Sequence, residues 1–179
     1  LLGYVMRYCH RQLEKFDRKK KYSKVLEIGA GSSPHIDYLK HDYDEYFIAE
    51  TSSSALEFYK KMKNIKAYSY DGKNLPFEDN FFDRIIAIHV LEHLPNLPKT
   101  ISEISRVLSV NGLFQVVIPC EGSIAYTLAR KISAERIFKK KYNISYDWFI
   151  KSEHLNLPYE IFNELKKNFV IKILDFTAW

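Results

Sequence analysis

One stretch, VLEIGAGSSPHIDYL at positions 25–39, constrains the fold more than any other part of the chain. Val25, Leu26 and Ile28 form a short apolar run with β-branched members, the pattern of a strand buried on both faces. Gly29-Ala30-Gly31 interrupts it. Ser32 and Ser33 can cap a helix, Pro34 suits a first helical turn, and Ile36 and Leu39 follow at helical spacing. The stretch is therefore predicted to be strand, glycine turn and helix. Glycines at such a turn let the backbone approach a ligand with no Cβ in the way. The arrangement points to a nucleotide-type cofactor lying over the first strand of a Rossmann-like sheet.

The remaining segments repeat the alternation. Leu2, Val5, Met6, Cys9, Leu13 and Phe16 share one helical face, so residues 3–19 are predicted to form an amphipathic helix, either a cap over the site or a face packed on the core. EYFIAE at 45–50 reads as a second strand, ending in Glu50 about 21 residues past Gly29, where a dinucleotide fold places the acid that meets ribose hydroxyls. Ser52 to Ser54 cap a helix running to about Lys63. Residues 67–70 form a third strand ending at Asp71-Gly72. The fourth lies within 82–91, with Ile85 to Ile88 buried and Glu92-His93-Leu94-Pro95 at its carboxyl end. A helix over 98–108 leads through an Asn111-Gly112 turn to a fifth strand at 113–118. Residues 119–150 are rich in aromatics, fit no strand pattern and follow the fifth strand, so they are read as a substrate-facing insertion. A helix over 158–168 and a last strand over 169–176 close the chain. The fold class is α/β: a mostly parallel central sheet with helices on both faces.

The chain of 179 residues suits a single domain over 1–179, with an N-terminal cap helix in 1–20. The net charge is +5, with basic clusters at 18–21 and 139–141. These fit an anionic small-molecule acceptor, but are read first as solvated helix ends. No apolar run approaches the roughly 20 residues that span a bilayer. Cys9 and Cys120 form neither a metal spacing nor a disulfide framework, so a reducing, cytoplasmic setting is expected and a metal site is not. Cys9 is read as a small core residue. The chain opens on Leu1 rather than Met, which leaves a targeting segment upstream open.

Read together, Glu27-Ile28-Gly29-Ala30-Gly31-Ser32-Ser33, the acids Glu50 and Asp71, the stretch LPFEDNFFDRIIAIHVLEHLPN and the stretch RVLSVNGLFQVVIP resemble the class I S-adenosylmethionine-dependent methyltransferases, in their small-molecule branch. The likeness covers about 22–118. Ser33 replaces the family's third glycine, and only Gly112 remains of its later double glycine. The resemblance implies S-adenosylmethionine as cofactor, bound by Glu27, Gly29, Ala30, Gly31, Glu50, Thr51, Asp71, Gly72 and His89, with Glu50 on the ribose and Asp71 near the adenine. It also implies two antiparallel strands at the end of the chain. Only one is legible here, so the last is expected to be absent or cut off. The uncovered sheet edge is then open to a second copy of the chain.

Methyl transfer from a sulfonium is an in-line displacement in which the cofactor carries the hard chemistry and the protein aligns the reactants. An oxygen acceptor also needs a base. The candidates near the ligand edge are His89, His93, Glu121 and His154; His154 is the first choice, ahead of Glu121, and His93, inside LEHL, is read as structural. Cys120 is not read as a nucleophile, since no target-recognition domain accompanies it. The acceptor is expected to be an O or N atom of a small molecule such as a sugar or lipid-linked intermediate. Nucleic acid is disfavoured, because the acid- or Asn-Pro-Pro-aromatic motif is missing after the fourth strand. The competing reading is a non-catalytic S-adenosylmethionine-binding or partner protein that keeps the fold.

Overall fold

The computed structural model describes residues 2–16, 21–119 and 154–171. Among the described residues five strands, β1 (Lys21–Ile28), β2 (Asp42–Glu50), β3 (Lys66–Ser69), β4 (Phe82–Ile88) and β5 (Leu108–Val117), form one sheet in the order β3-β2-β1-β4-β5. Every pairing is parallel. All carboxyl ends therefore lie along one edge. The strand order reverses between β1 and β4, the place where open α/β sheets take ligands.

Alternation along the strands divides the core in two. Leu26, Ile28, Phe47, Ala49, Ile85 and Ala87 pack against α3 (Leu97–Val107) and α4 (Pro158–Asn168). Val25, Tyr46, Ile48, Ile86 and Ile88 face the other way, against Cys9 and Leu13 of α1 (Leu2–Phe16) and Tyr59 of α2 (Ser53–Lys60). The N-terminal helix thus packs on the sheet, and Cys9 is part of the core. Local signals set the helix starts. The Ser52 side chain accepts from the Ala55 N–H at α2, and the Asn96 side chain accepts from the Lys99 N–H at α3, with proline in the first turn of α3.

Two local expectations are corrected. The helix expected from Pro34 is a single 3-10 turn, His35–Tyr38, and Pro34 itself is extended. The buried Glu27 carboxylate takes the His35 N–H at 2.9 Å, and the Ser33 N–H closes back on the Ala30 carbonyl at 3.1 Å. These contacts fold the segment down onto β1, and β2 then begins at Asp42. Nor does Asn111-Gly112 separate a helix from a strand. β5 starts at Leu108, where Phe82 pairs with Leu108 and Arg84 with Leu113. Residues 109–112 therefore loop out opposite Asp83 as a wide irregularity inside the strand. The expected last strand lies largely in 172–179, and the insertion at 119–150 lies almost wholly in 120–153, both outside the described residues. Among the described residues no helix is long and apolar enough to cross a membrane.

Candidate functional site at the carboxyl edge of the sheet

The glycine turn is held from both sides. The Gly29 N–H donates to the Ala49 carbonyl at 2.8 Å, which extends the β1–β2 ladder into the turn. Gly29 has φ +65°, and a Cβ there would lie 2.7 Å from Val90 Cγ2. Only glycine fits. Gly31 has φ +55°; its N–H donates to Glu50 Oε2 at 3.0 Å, and its carbonyl accepts from the Tyr59 hydroxyl at 2.9 Å. A Cβ on Gly31 would meet no atom within 4 Å. The turn is rigid underneath and open above, as a cofactor cradle requires.

Glu50 ends β2 and is 5% exposed. Its Oε1 accepts from the N–H groups of Thr51 and Ser52 at 3.0 and 3.1 Å, while among the described residues Oε2 takes only the Gly31 N–H. A carboxylate offers about four lone-pair sites, so Oε2 retains acceptor capacity beside the open turn. Gly29, Ala30, Gly31, Glu50 and Thr51 are thus brought together.

Glu27 sits differently. Its carboxylate is buried beneath the turn, accepting from the Tyr46 hydroxyl at 2.7 Å and from the His35 N–H. Burial pushes its pKa up to about 7, against the pull of those two donors. It ties the turn to the core from below.

Asp71 and Gly72 stand after β3. Asp71 is exposed, and its carboxylate accepts from the N–H groups of Asn74 and Lys73 and from the Asn74 side chain. These bonds hold its pKa down at about 2. Gly72 has φ +76°, and a Cβ there would lie 4.0 Å from Thr51 Cγ2, so this loop adjoins the Glu50 corner. Helix α3 fixes the loop. Thr100 Oγ1 donates to the Gly72 carbonyl, Glu103 accepts from the Leu75 N–H, and Arg106 donates to the carbonyls of Leu75 and Phe77.

His89 caps β4 with φ +53° and continues the sheet, its N–H donating to the Val117 carbonyl. Its ring lies between Cys9 Sγ, 3.6 Å from Nε2, and Glu92 Oε1, 3.3 Å from Nδ1. Burial alone lowers its pKa, but Cys9 and Glu92 outweigh that and raise it to about 9. At neutral pH His89 therefore holds its proton as a donor to Glu92.

Beyond His89, the 3-10 turn Leu91–His93 meets the segment that leads into α4. The N–H groups of Leu155 and Asn156 donate to the Glu92 carbonyl, and Asn156 Nδ2 donates to the carbonyls of Leu91 and Leu94. This lock sets His154 against His93, with ring centroids 4.8 Å apart at 79°. Glu121 lies outside the described residues. Tyr59, Thr100 and Arg106 were not anticipated from sequence. Each acts on a main-chain group distant in sequence, and no spacing reveals such a partner.

The methyltransferase-domain family matches residues 26–116, half of the chain. An uncharacterised protein of Methanocaldococcus jannaschii is 33% identical over 112 residues, 63% of this chain and 47% of that protein. The uncharacterised methyltransferase YcgJ of Bacillus subtilis is 30% identical over 102 residues, 52% of this chain and 40% of that one. The chain thus spans under half the length of these relatives. A methyltransferase structure from Thermotoga maritima superposes with a TM-score of 0.64 at 18% identity, covering 94% of this chain and 76% of the other. At that identity the likeness bears on the fold.

Proposed function

The chain belongs to the methyltransferase-domain family of S-adenosylmethionine-dependent enzymes, and from that premise we propose that it transfers a methyl group to an oxygen or nitrogen atom of a small molecule, of the sugar or lipid-linked class. The observation that carries this reading is the Glu50 corner. A buried carboxylate is held by three backbone N–H groups, keeps acceptor capacity on Oε2, and adjoins a glycine turn with open space above Gly31.

When bound, the sulfonium supplies an activated methyl and a neutral leaving thioether. The chain's own residues bind and orient. Gly29 and Gly31 admit the cofactor close to β1. Glu50 accepts from ribose hydroxyls, as a charge-assisted acceptor. The Asp71-Gly72 loop, pinned by Thr100 and Arg106, gives a fixed wall for the adenine, and Thr51 closes the corner between them. Val90, 2.7 Å from the Cβ that Gly29 lacks, keeps the β4 end tight against the turn. His93 and His154 stand past His89 on the side left for the acceptor.

Calorimetric titration with S-adenosylhomocysteine tests the reading. Hydrogen bonds to charged groups are worth about 1.5–3 kcal/mol, so Glu50→Gln should weaken binding roughly tenfold to a hundredfold with the fold retained by circular dichroism. Unchanged affinity would remove Glu50 from the site. No binding by the unaltered chain would remove the cofactor.

A further inference from the structure

Glu92 is a carboxylate in an unusual position. It is 1% exposed, yet it sits in a turn at the carboxyl edge of the sheet, with histidines on three sides. Its Oε1 lies 3.3 Å from His89 Nδ1 and 3.9 Å from His93 Nε2. Its Oε2 is buried and has no hydrogen-bond partner among the described residues. A buried carboxylate oxygen left without a donor is costly, and such orphans call for a cation or a donor that the protein itself does not supply.

The side chains around it supply nitrogen ligands. One donor atom from each of Glu92, His93 and His154 lies within 4.8 Å of the others. From these two observations we infer that Glu92, His93 and His154 form a binding site for a single divalent transition-metal ion. Two imidazoles and one carboxylate are a common donor set for zinc sites that keep an open coordination position. A tetrahedral ion with ligands at about 2.0–2.1 Å holds its donors about 3.3 Å apart. The Oε1–Nε2 separation of 3.9 Å is already near that. Drawing together the widest donor pair, at most 4.8 Å apart, takes up to about 1.5 Å; His93, whose side chain is 42% exposed, is able to swing toward the others and leaves the ion a way in from solvent.

The supports of a metal site are in place as well. His89 Nδ1 lies 3.3 Å from Glu92 Oε1, an outer contact of the kind that orients ligating groups. The hydrogen bonds from Leu155 and Asn156 to the 91–94 turn fix the backbones that carry the two histidines. The ligands are therefore preorganised by main-chain contacts rather than left to loop motion. The three protein donors leave a position for an oxygen ligand, and a hydroxyl bound there is more acidic than in water. His154 then serves as a ligand instead of a free base, and a hydroxyl-bearing acceptor is the fitting class.

Metal binding itself is the readout, so the test stands apart from any methyl transfer. The full chain, freed of metal with chelator and carrying no histidine tag, is titrated with Zn2+ by calorimetry and with Co2+ by visible absorption. One equivalent should bind, with Co2+ d–d bands of a mixed nitrogen–oxygen site. Outer contacts alone change metal affinity about 10- to 100-fold, so His93→Ala and His154→Ala should each weaken binding at least tenfold and abolish thermal stabilisation by Zn2+. Glu92→Gln should do the same; if it fails to fold, the two more exposed histidines decide the matter. Absence of saturable binding at one equivalent overturns the site, as does binding undiminished in both histidine variants.

Discussion

The two faces of the sheet are built from opposite materials. The face under α3 and α4 is hydrocarbon: Phe82, Ile85, Ile101, Ile104 and Val107 are each fully buried, and Phe47 packs edge to face against Phe77, Phe81 and Phe82. The face under α1 buries charge. Arg84 is 0% exposed on β4 and donates to Glu14 at 2.7 Å, to Gln115 at 2.8 Å and to His41. Glu14 also accepts from His35 at 2.8 Å and from the Lys40 N–H, His35 shares a hydrogen bond with His10, and Gln115 Nε2 donates to the Leu13 carbonyl. The difference teaches what each face specifies. Apolar packing tolerates small shifts of a helix along the sheet. A forked guanidinium between a helix carboxylate and a strand amide tolerates only one position of α1.

Breaking the polar face should have the largest effect. Arg84→Met leaves Glu14 buried without its cation, and removing one partner of such a pair typically costs about 3–5 kcal/mol. Denaturant unfolding should show this loss, and Glu14→Leu added to Arg84→Met should restore much of it. A cost below about 1 kcal/mol for Arg84→Met would make the network incidental.

Next comes a pH test at Glu27, which lies on the same face. Its pKa is raised in the fold, from 4.5 to about 7. The folded chain therefore binds the proton that the unfolded chain has released. Its contribution is present below about pH 4.5 and is lost as pH rises to about 7. His10 acts in the opposite sense. Burial lowers it from 6.5 to about 4, so its contribution is full above 6.5 and falls away as pH drops through 4. Comparing Glu27→Gln with the unaltered chain cancels the histidine. At pH 5 the two should be near equal, and by pH 8 the Gln variant should lead by on the order of 3 kcal/mol. A difference independent of pH would mean that Glu27 ionises normally.

The apolar face supplies the smallest effect. Ile104→Val should cost about 1 kcal/mol, with the same value at pH 5 and pH 8. A pH-dependent cost there would show that the two faces are coupled.

The apolar face was legible in the sequence because its residues recur at strand and helix periods. The parallel sheet follows from the alternation of strands and helices though its strand order does not, and the edge holding Gly29, Gly31, Glu50 and Gly72 follows from where each apolar run ends. The polar face was not legible, since the partners His35 and Arg84 of Glu14 lie 21 and 70 positions away. One clue was present: an arginine between Phe82 and Ile85 in an otherwise buried run. The helix after Pro34 failed for the same reason, because the Glu27 carboxylate that captures the His35 N–H lies below the turn. The grouping of Glu92, His93 and His154 depends on Asn156 bridging two loops, and no local pattern encodes such a bridge.

That bridge also shapes how the domain can diversify. The chain leaves the sheet at Pro119, just past the β5 residue whose carbonyl takes the His89 N–H, and returns at Leu155, whose N–H meets the Glu92 carbonyl. Val117 and Leu155 are thus moored to neighbouring points after β4. Doubling the length of a flexible span between fixed moorings costs only about 0.6 kcal/mol in closure entropy. Changes of length between 119 and 155 therefore act on two hydrogen-bonded moorings after β4, and the contacts of Gly29, Gly31 and Glu50 are made without them.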